Sequence, residues 1–160
     1  MFSKDTKFIT SQGIKTFEDF LIGQTVEIMD KDCMWRQGTI DCEPGKSLIK
    51  VELKVTYKDQ ESEDPEDHLI ITCSTDQHWI LNDGRVTKQI AVGSRLYPYQ
   101  KIDKSRDYHM STTETKLKYK GSWTVISITP MNQSNVEGWV VREPITNSFC
   151  LEKNVVTSDH

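Results

Sequence analysis

The chain has no long apolar run, no paired metal-ligand residues and no excess of positive charge, and each absence removes a class of function. No stretch approaches the roughly 20 consecutive apolar residues of a membrane-crossing helix. The opening Met1-Phe2-Ser3-Lys4-Asp5 lacks the basic-then-apolar order of a secretory signal. A soluble, cytoplasmic protein with no membrane partner is therefore expected. Lys and Arg number 20 against 24 Asp and Glu, a formal net charge of -4, so no electrostatic pull towards nucleic acid is expected either. Cysteine is scarce: Cys33, Cys42, Cys73 and Cys150 are scattered, and with His68, His78, His109 and His160 they form no C-x-x-C or H-x-x-x-H spacing. Reduced thiols, no metal and no cofactor are the expectation.

What is present is a series of short β-rich runs. Lys7–Thr10, Thr25–Ile28, Ser47–Leu53, His68–Thr72 and Trp123–Ile128 are brief, often alternate in polarity, and are parted by the turn signals Gln12-Gly13, Pro44-Gly45 and Asn82-Asp83-Gly84. The 160 residues suit one all-β domain spanning 1–160. A helical turn is expected from Thr16, whose side chain can cap Phe17-Glu18-Asp19, and a second short helix over Lys88–Val92. Asp59–Asp67 holds six carboxylates and Pro65, and reads as a solvated loop without the glycine and oxygen spacing of a calcium loop. Lys101–Lys120 is polar and mixed in charge, and reads as a flexible connection.

The densest group of reactive side chains is Cys73-Ser74-Thr75-Asp76-Gln77-His78-Trp79, between an apolar strand and the Ile80-Leu81 pair. Thr75 and His78, three apart on a strand-end loop, are spaced to aim a hydroxyl and an imidazole at one amide, with Asp76 orienting the ring or capping the turn. In isolation such a histidine is more often a half-buried, satisfied side chain than an acid or base.

Read with both ends of the chain, this group resembles an intein. Phe2-Ser3-Lys4-Asp5-Thr6-Lys7-Phe8-Ile9-Thr10-Ser11-Gln12-Gly13 is similar to the opening block of that family, without its nucleophile. Thr75-Asp76-Gln77-His78-Trp79 is similar to its T-x-x-H block followed by an aromatic residue, and Asp83 to Gly93 to the segment after it. Trp123–Thr129, Gly138–Val141 and Phe149–Thr157 resemble the C-terminal blocks, in the same order and at similar separations. The resemblance implies a Hint-type, horseshoe-like all-β fold and autocatalytic protein splicing. Residue 1 attacks the carbonyl before it, a downstream nucleophile takes the acyl group, and a terminal Asn cyclises. Thr75 and His78 are implied to polarise the scissile amide. The implied partners are flanking extein segments in cis, on a monomer. Between Tyr99 and Gly121 the chain is too short for a homing endonuclease, so a mini-intein is expected.

Several positions depart from the pattern. Met1 stands at the nucleophile position, and its thioether has no ionisable proton, so the first step is expected to be blocked. At the other end, either Ser158 and Asp159 stand where His-Asn is usual, or His160 is the penultimate His and the Asn lies beyond it. Val140 and Asn147 fall where Asp and His are common. Of the cysteines, Cys150 is expected to lie nearest the site. Two other readings remain: hedgehog-type self-cleavage, which needs no terminal Asn, and a non-catalytic β-domain binding a peptide through Trp35, Trp79, Trp123 and Trp139.

Overall fold

A computed structural model describes residues 1–57, 60–98 and 121–160. The run Lys101–Lys120, expected to be a flexible connection, lies outside the described residues. The described residues form thirteen strands: β1 (Lys7–Thr10), β2 (Gly13–Thr16), β3 (Thr25–Met29), β4 (Trp35–Lys46), β5 (Leu48–Tyr57), β6 (Gln60–Glu61), β7 (His68–Ser74), β8 (Trp79–Ile80), β9 (Val86–Thr87), β10 (Ser122–Pro130), β11 (Val136–Arg142), β12 (Ser148–Cys150) and β13 (Val156–Ser158). Among the described residues only short 3-10 turns interrupt them, and the domain is all-β, in keeping with its short alternating runs.

Two antiparallel sheets carry most of the chain. One has the order β11-β4-β3-β1-β2; in the other β5 is central, pairing with β10 and with β7 and β6. Phe2 joins them: it bridges Cys73 of β7 and Trp139 of β11, so the start of the chain is inserted between the sheets. Its ring is fully buried and meets Trp79 and Phe149 edge-on, each at 5.9 Å between centroids. Phe8 continues the cluster to Phe17 at 4.7 Å. Burying an aromatic ring of this kind contributes about 1.5–3 kcal/mol, so the N-terminal segment is fixed by its own side chains.

The helical turn expected at Thr16 is a 3-10 turn, Phe17–Asp19, in which Asp19 Oδ2 accepts from the Thr16 N–H at 2.9 Å. The helix expected over Lys88–Val92 is absent. There the chain leaves β9 and turns through Gly93 at φ +95, with Ser94 N–H donating to Ala91 O at 2.9 Å, so that Leu96 reaches its bridge with Leu81. Tertiary pairing at both ends overrides a weak local propensity. Pro44-Gly45, read as a turn, instead lies inside β4, where the register with β11 shifts between Val136↔Lys46 and Gly138↔Glu43. Gly45, at φ +75, supplies the left-handed residue of that bulge.

The acidic stretch beyond Asp59, itself outside the described residues, is less irregular than expected. Asp64 Oδ1 caps the turn Pro65–Asp67 by accepting from Glu66 N–H at 3.0 Å, and Asp67 accepts from Ser62 Oγ at 2.6 Å. The four tryptophans do not share a groove. Trp79 and Trp123 are 1% exposed and belong to the core, Trp139 packs on Phe17, and Trp35 faces solvent.

Candidate functional site

The site forms where the beginning and the end of the chain meet the loop after β7. Met1 is 4% exposed. Ser74 N–H donates to Met1 O at 2.7 Å, and Phe2 and Trp139 exchange main-chain hydrogen bonds at 2.7 and 2.8 Å. These place the Met1 nitrogen against two side chains: it donates to Ser74 Oγ at 3.0 Å and to Gln77 Oε1. Burial pushes the Met1 amine down from 8.0 to about 5, the nearby charges of Cys73 and Asp76 acting weakly the other way. The side chain of Met1 lies over Gly138, where a Cβ would stand 2.7 Å from Met1 Cβ, so this approach requires glycine.

Ser74 is held in turn by Asp76. The hydroxyl of Ser74 and the ammonium of Lys46, 2.9 Å from Asp76 Oδ2, hold that carboxyl at about 2, well below its usual range. Lys46 also pairs with Glu43 at 3.2 Å, Glu43 with Arg142 at 3.4 Å, and Arg142 with Asp41 at 3.2 Å. An ion-pair chain along β4 thus runs from beneath residue 1 to the C-terminal end.

At that end, β12 and β13 pair from Ser148↔Ser158 to Cys150↔Val156 and deliver Asp159 into the interior, 2% exposed. Asp159 N–H donates to Asn147 O at 3.0 Å, and its Oδ2 accepts from Glu143 N–H at 2.9 Å. Its other oxygen, Oδ1, has no hydrogen-bond partner among the described residues; His160 Nδ1 lies 3.4 Å from it. Arg142 Nη1 donates to the main-chain oxygen of Asp159 at 2.6 Å. His160 O accepts from His78 N–H at 3.1 Å, and His160 N–H reaches Ser158 Oγ at 3.3 Å.

Gln77 links the two ends. It is 2% exposed; while Oε1 takes the Met1 nitrogen, Nε2 donates to Ser158 O at 3.1 Å, to Thr157 Oγ1 at 3.0 Å and to His78 O at 2.7 Å. An amide suits this place because it accepts at one end and donates at the other.

The sequence-derived site residues are therefore gathered, with a shift. Met1, Asp76, His78, Asp159 and His160 are at or beside the meeting point, but the contacts on the Met1 nitrogen come from Ser74 and Gln77. Thr75, one residue on, is exposed and donates through its main-chain N–H to Ser47 O at 2.9 Å. His78 lies on the C-terminal side, its ring centroid 6.2 Å from that of His160 and its Nδ1 buried without a hydrogen-bond partner. The missed signal was a second spacing of the same length, Ser74-x-x-Gln77, overlapping Thr75-x-x-His78. Sequence reading also missed Arg142. Val140 is fully buried in β11 opposite Asp41, and Asn147, at φ +53, serves the site through its carbonyl.

None of the four cysteines is in a disulfide. The one beside Met1 is Cys73, which bridges Phe2, and not Cys150, whose Sγ donates to Asp30 O at 3.3 Å away from the site. Burial raises the Cys73 thiol to about 12. Among the described residues no group of three or more His, Cys, Asp and Glu is placed to hold a metal ion, and no helix is long and apolar enough to cross a membrane.

No family model matches the sequence, and no curated protein matches it. Solved structures do. A variant of the Ssp DnaB mini-intein is similar over 99% of this chain and 98% of its own, with 15% identity and a TM-score of 0.66. The zinc-bound Msm DnaB1 intein splicing domain is similar over 99% of both chains, at 15% identity and a TM-score of 0.58. A bacterial intein-like domain from Clostridium thermocellum covers 99% of this chain and 97% of its own, at 12% identity and a TM-score of 0.55. The fold is the all-β Hint fold of intein splicing domains, of mini-intein size.

Proposed function

We propose that this domain is a self-processing, protein-splicing module that acts on peptide segments joined to its two ends. The observation that carries this reading is the convergence of both ends on one buried side chain, Gln77, which contacts the nitrogen of residue 1 and the carbonyl of Ser158. In a chain that continues upstream, the Met1 nitrogen is the amide nitrogen of the scissile bond. Ser74 Oγ and Gln77 Oε1 are the two acceptors offered to the single N–H of that amide; whichever takes it fixes the orientation of the amide, in the place the resemblance gave to Thr75 and His78. A nucleophilic residue 1 attacks the preceding carbonyl, forming an ester or thioester and releasing the nitrogen. The released amine gains no further proton near neutral pH, because burial holds its pKa at about 5. Met1 itself has no such nucleophile, so this step is silent in the chain as it stands. His78 acts on the C-terminal side, where its N–H grips His160 O.

The reaction needs flanking peptide in cis, a monomer, and no nucleic acid. The test is Met1→Cys behind a short N-terminal peptide, incubated with a small thiol and followed by intact mass. Release of the peptide as its thioester is expected. A folded variant that releases nothing overturns the assignment. With Asp159→Asn and a nucleophilic residue supplied downstream, a ligated product supports splicing, whereas cleavage at the N-terminal junction alone favours hedgehog-type processing, which fits the lack of Asn at 159.

A further inference from the structure

The strand that carries the ion pairs beneath residue 1 has a bulge that brings them there. Between the pairs Lys46↔Val136 and Glu43↔Gly138, β4 takes three residue steps where β11 takes two. In an unbroken strand, positions three apart face opposite sides of the sheet. The extra residue at Pro44-Gly45 instead puts Glu43 and Lys46 on one side, the side of Gly138. There Lys46 Cγ and Met1 Cβ crowd the same spot, 2.9 and 2.7 Å from the place of a Gly138 Cβ. The Lys46 side chain is 17% exposed, and its ammonium lies 2.9 Å from Asp76 Oδ2 and 3.2 Å from Glu43 Oε2. Asp76 in turn accepts from the Ser74 hydroxyl, whose oxygen is 3.0 Å from the nitrogen of residue 1.

We infer that Lys46 and Asp76 are positioning residues of the N-terminal step: acting through the Ser74 hydroxyl, they turn its lone pair onto the nitrogen of residue 1, so that the amine released there meets two acceptors. The inference rests on the self-processing reading above and deepens its first step. A hydroxyl has one proton to give. Ionised Asp76 takes that proton from Ser74, which leaves the Ser74 oxygen as an acceptor beside Gln77 Oε1. The scissile amide, with its single N–H, uses only one of the two. In the acyl shift a bond forms between the nucleophile of residue 1 and the preceding carbonyl carbon, the C–N bond breaks, and the proton of the nucleophile ends on the nitrogen. That nitrogen then has two N–H groups and engages both acceptors. Interactions gained along the reaction are the ones that speed it. Around Asp76 stand Ser74 and Cys73 of β7, Lys46 and, behind it, Glu43 of β4, and the nitrogen of residue 1. The Ser74 hydroxyl and the Lys46 ammonium hold its carboxyl at about 2. Protonating Asp76 would free the Ser74 proton to turn towards the nitrogen and remove the second acceptor.

The test follows thiol-induced release of a short N-terminal peptide from the full chain carrying Met1→Cys, the parent, by intact mass. Lys46→Met, which keeps an apolar stem over Gly138, is expected to slow release about tenfold at pH 7 with an unchanged near-ultraviolet circular dichroism spectrum. Lys46→Arg is expected to restore most of the rate. Without the ammonium Asp76 takes up its proton at higher pH, so the ratio of the Lys46→Met rate to the parent rate is expected to fall further between pH 7 and pH 4. In a Ser74→Ala background Lys46→Met is expected to cost nothing more, because the relay ends at that hydroxyl; a lysine that only supported the fold would cost the same in both backgrounds. Asp76→Ala is the second variant, expected to slow release at least as much and to be insensitive to Lys46→Met. A Lys46→Met rate equal to the parent rate, a ratio that does not change with pH, or an equal cost in the Ser74→Ala background overturns the inference. If the parent yields its thioester and the folded Lys46→Met and Asp76→Ala variants do so as fast, only this inference fails. If the folded parent releases nothing, the self-processing reading fails and this inference with it.

Discussion

Gln77 Nε2 donates to the carbonyl oxygen of Ser158 at 3.1 Å while the other end of the same amide accepts from the nitrogen of residue 1. One buried side chain therefore senses both ends of the domain, separated by nearly the whole sequence.

Replacing Gln77 with Leu keeps the volume but removes both contacts. In the Met1→Cys background, thiol-induced release of an N-terminal peptide is expected to fall by about 10²-fold, and urea unfolding to show a loss of about 1–3 kcal/mol from the polar groups left unpaired. Thr75→Ala, at an exposed position, is expected to change neither by more than a few-fold. Peptide mass spectrometry and equilibrium unfolding read the two effects separately.

Gly138→Ala places a Cβ 2.7 Å from Met1 Cβ and 2.9 Å from Lys46 Cγ. Because Met1 is pinned by main-chain bonds to Ser74, the overlap is relieved only by moving residue 1 or β11. A destabilisation of about 1–3 kcal/mol is expected, together with slower release in the Met1→Cys background. Unchanged unfolding would mean that residue 1 is not held between the sheets.

A protein with a free Met1 amine is expected to gain stability as pH rises from about 5 to 8. The folded amine titrates near 5 and the unfolded one near 8.0, so the unfolded state binds more protons throughout that window. Below 5 both states are protonated and above 8 neither is, so the slope vanishes outside it. Acetylating the α-amine is expected to flatten this part of the urea midpoint against pH profile. Asp76 contributes separately, with stability lost only in strong acid as pH falls towards about 2.

A thiol reagent at mildly alkaline pH is expected to label Cys33 first, since it is exposed. Cys42 follows slowly: burial, then Glu137 and Asp41, raise its thiol to about 11. Cys73 and Cys150 are buried with raised pKa values and are expected to react only on unfolding. Mass-mapped labelling over time reads the order, and loss of the thioester-forming activity on labelling Cys42 alone would place the site elsewhere.

The amino-acid sequence by itself determined the local pieces. Alternating polarity wrote β1, β3, β5, β7 and β10 within a few residues of their ends, and Asp83-Gly84 wrote a turn in which Gly84, at φ +87, donates to Leu81 O at 2.9 Å. It also marked the reactive stretch Cys73–Trp79 and the two chain ends as belonging together. It did not determine β4, whose polar Trp35–Lys46 run is a strand because β3 and β11 pair with both its edges. Nor did it determine which residues touch the scissile amide. Ser74-x-x-Gln77 and Thr75-x-x-His78 have the same length, and spacing alone does not say which pair faces the interior. β7 ends at Ser74, and Thr75-Asp76 form a turn in which Gln77 N–H donates to Ser74 O at 3.1 Å; pairing of Phe2 with Cys73 fixes the strand before it, so that Ser74 and Gln77 are buried and Thr75 is left in solvent. Arg142 and Asp159 met only by tertiary structure for the same reason: their contact depends on how β11 and β13 are packed, and no spacing along the chain encodes it.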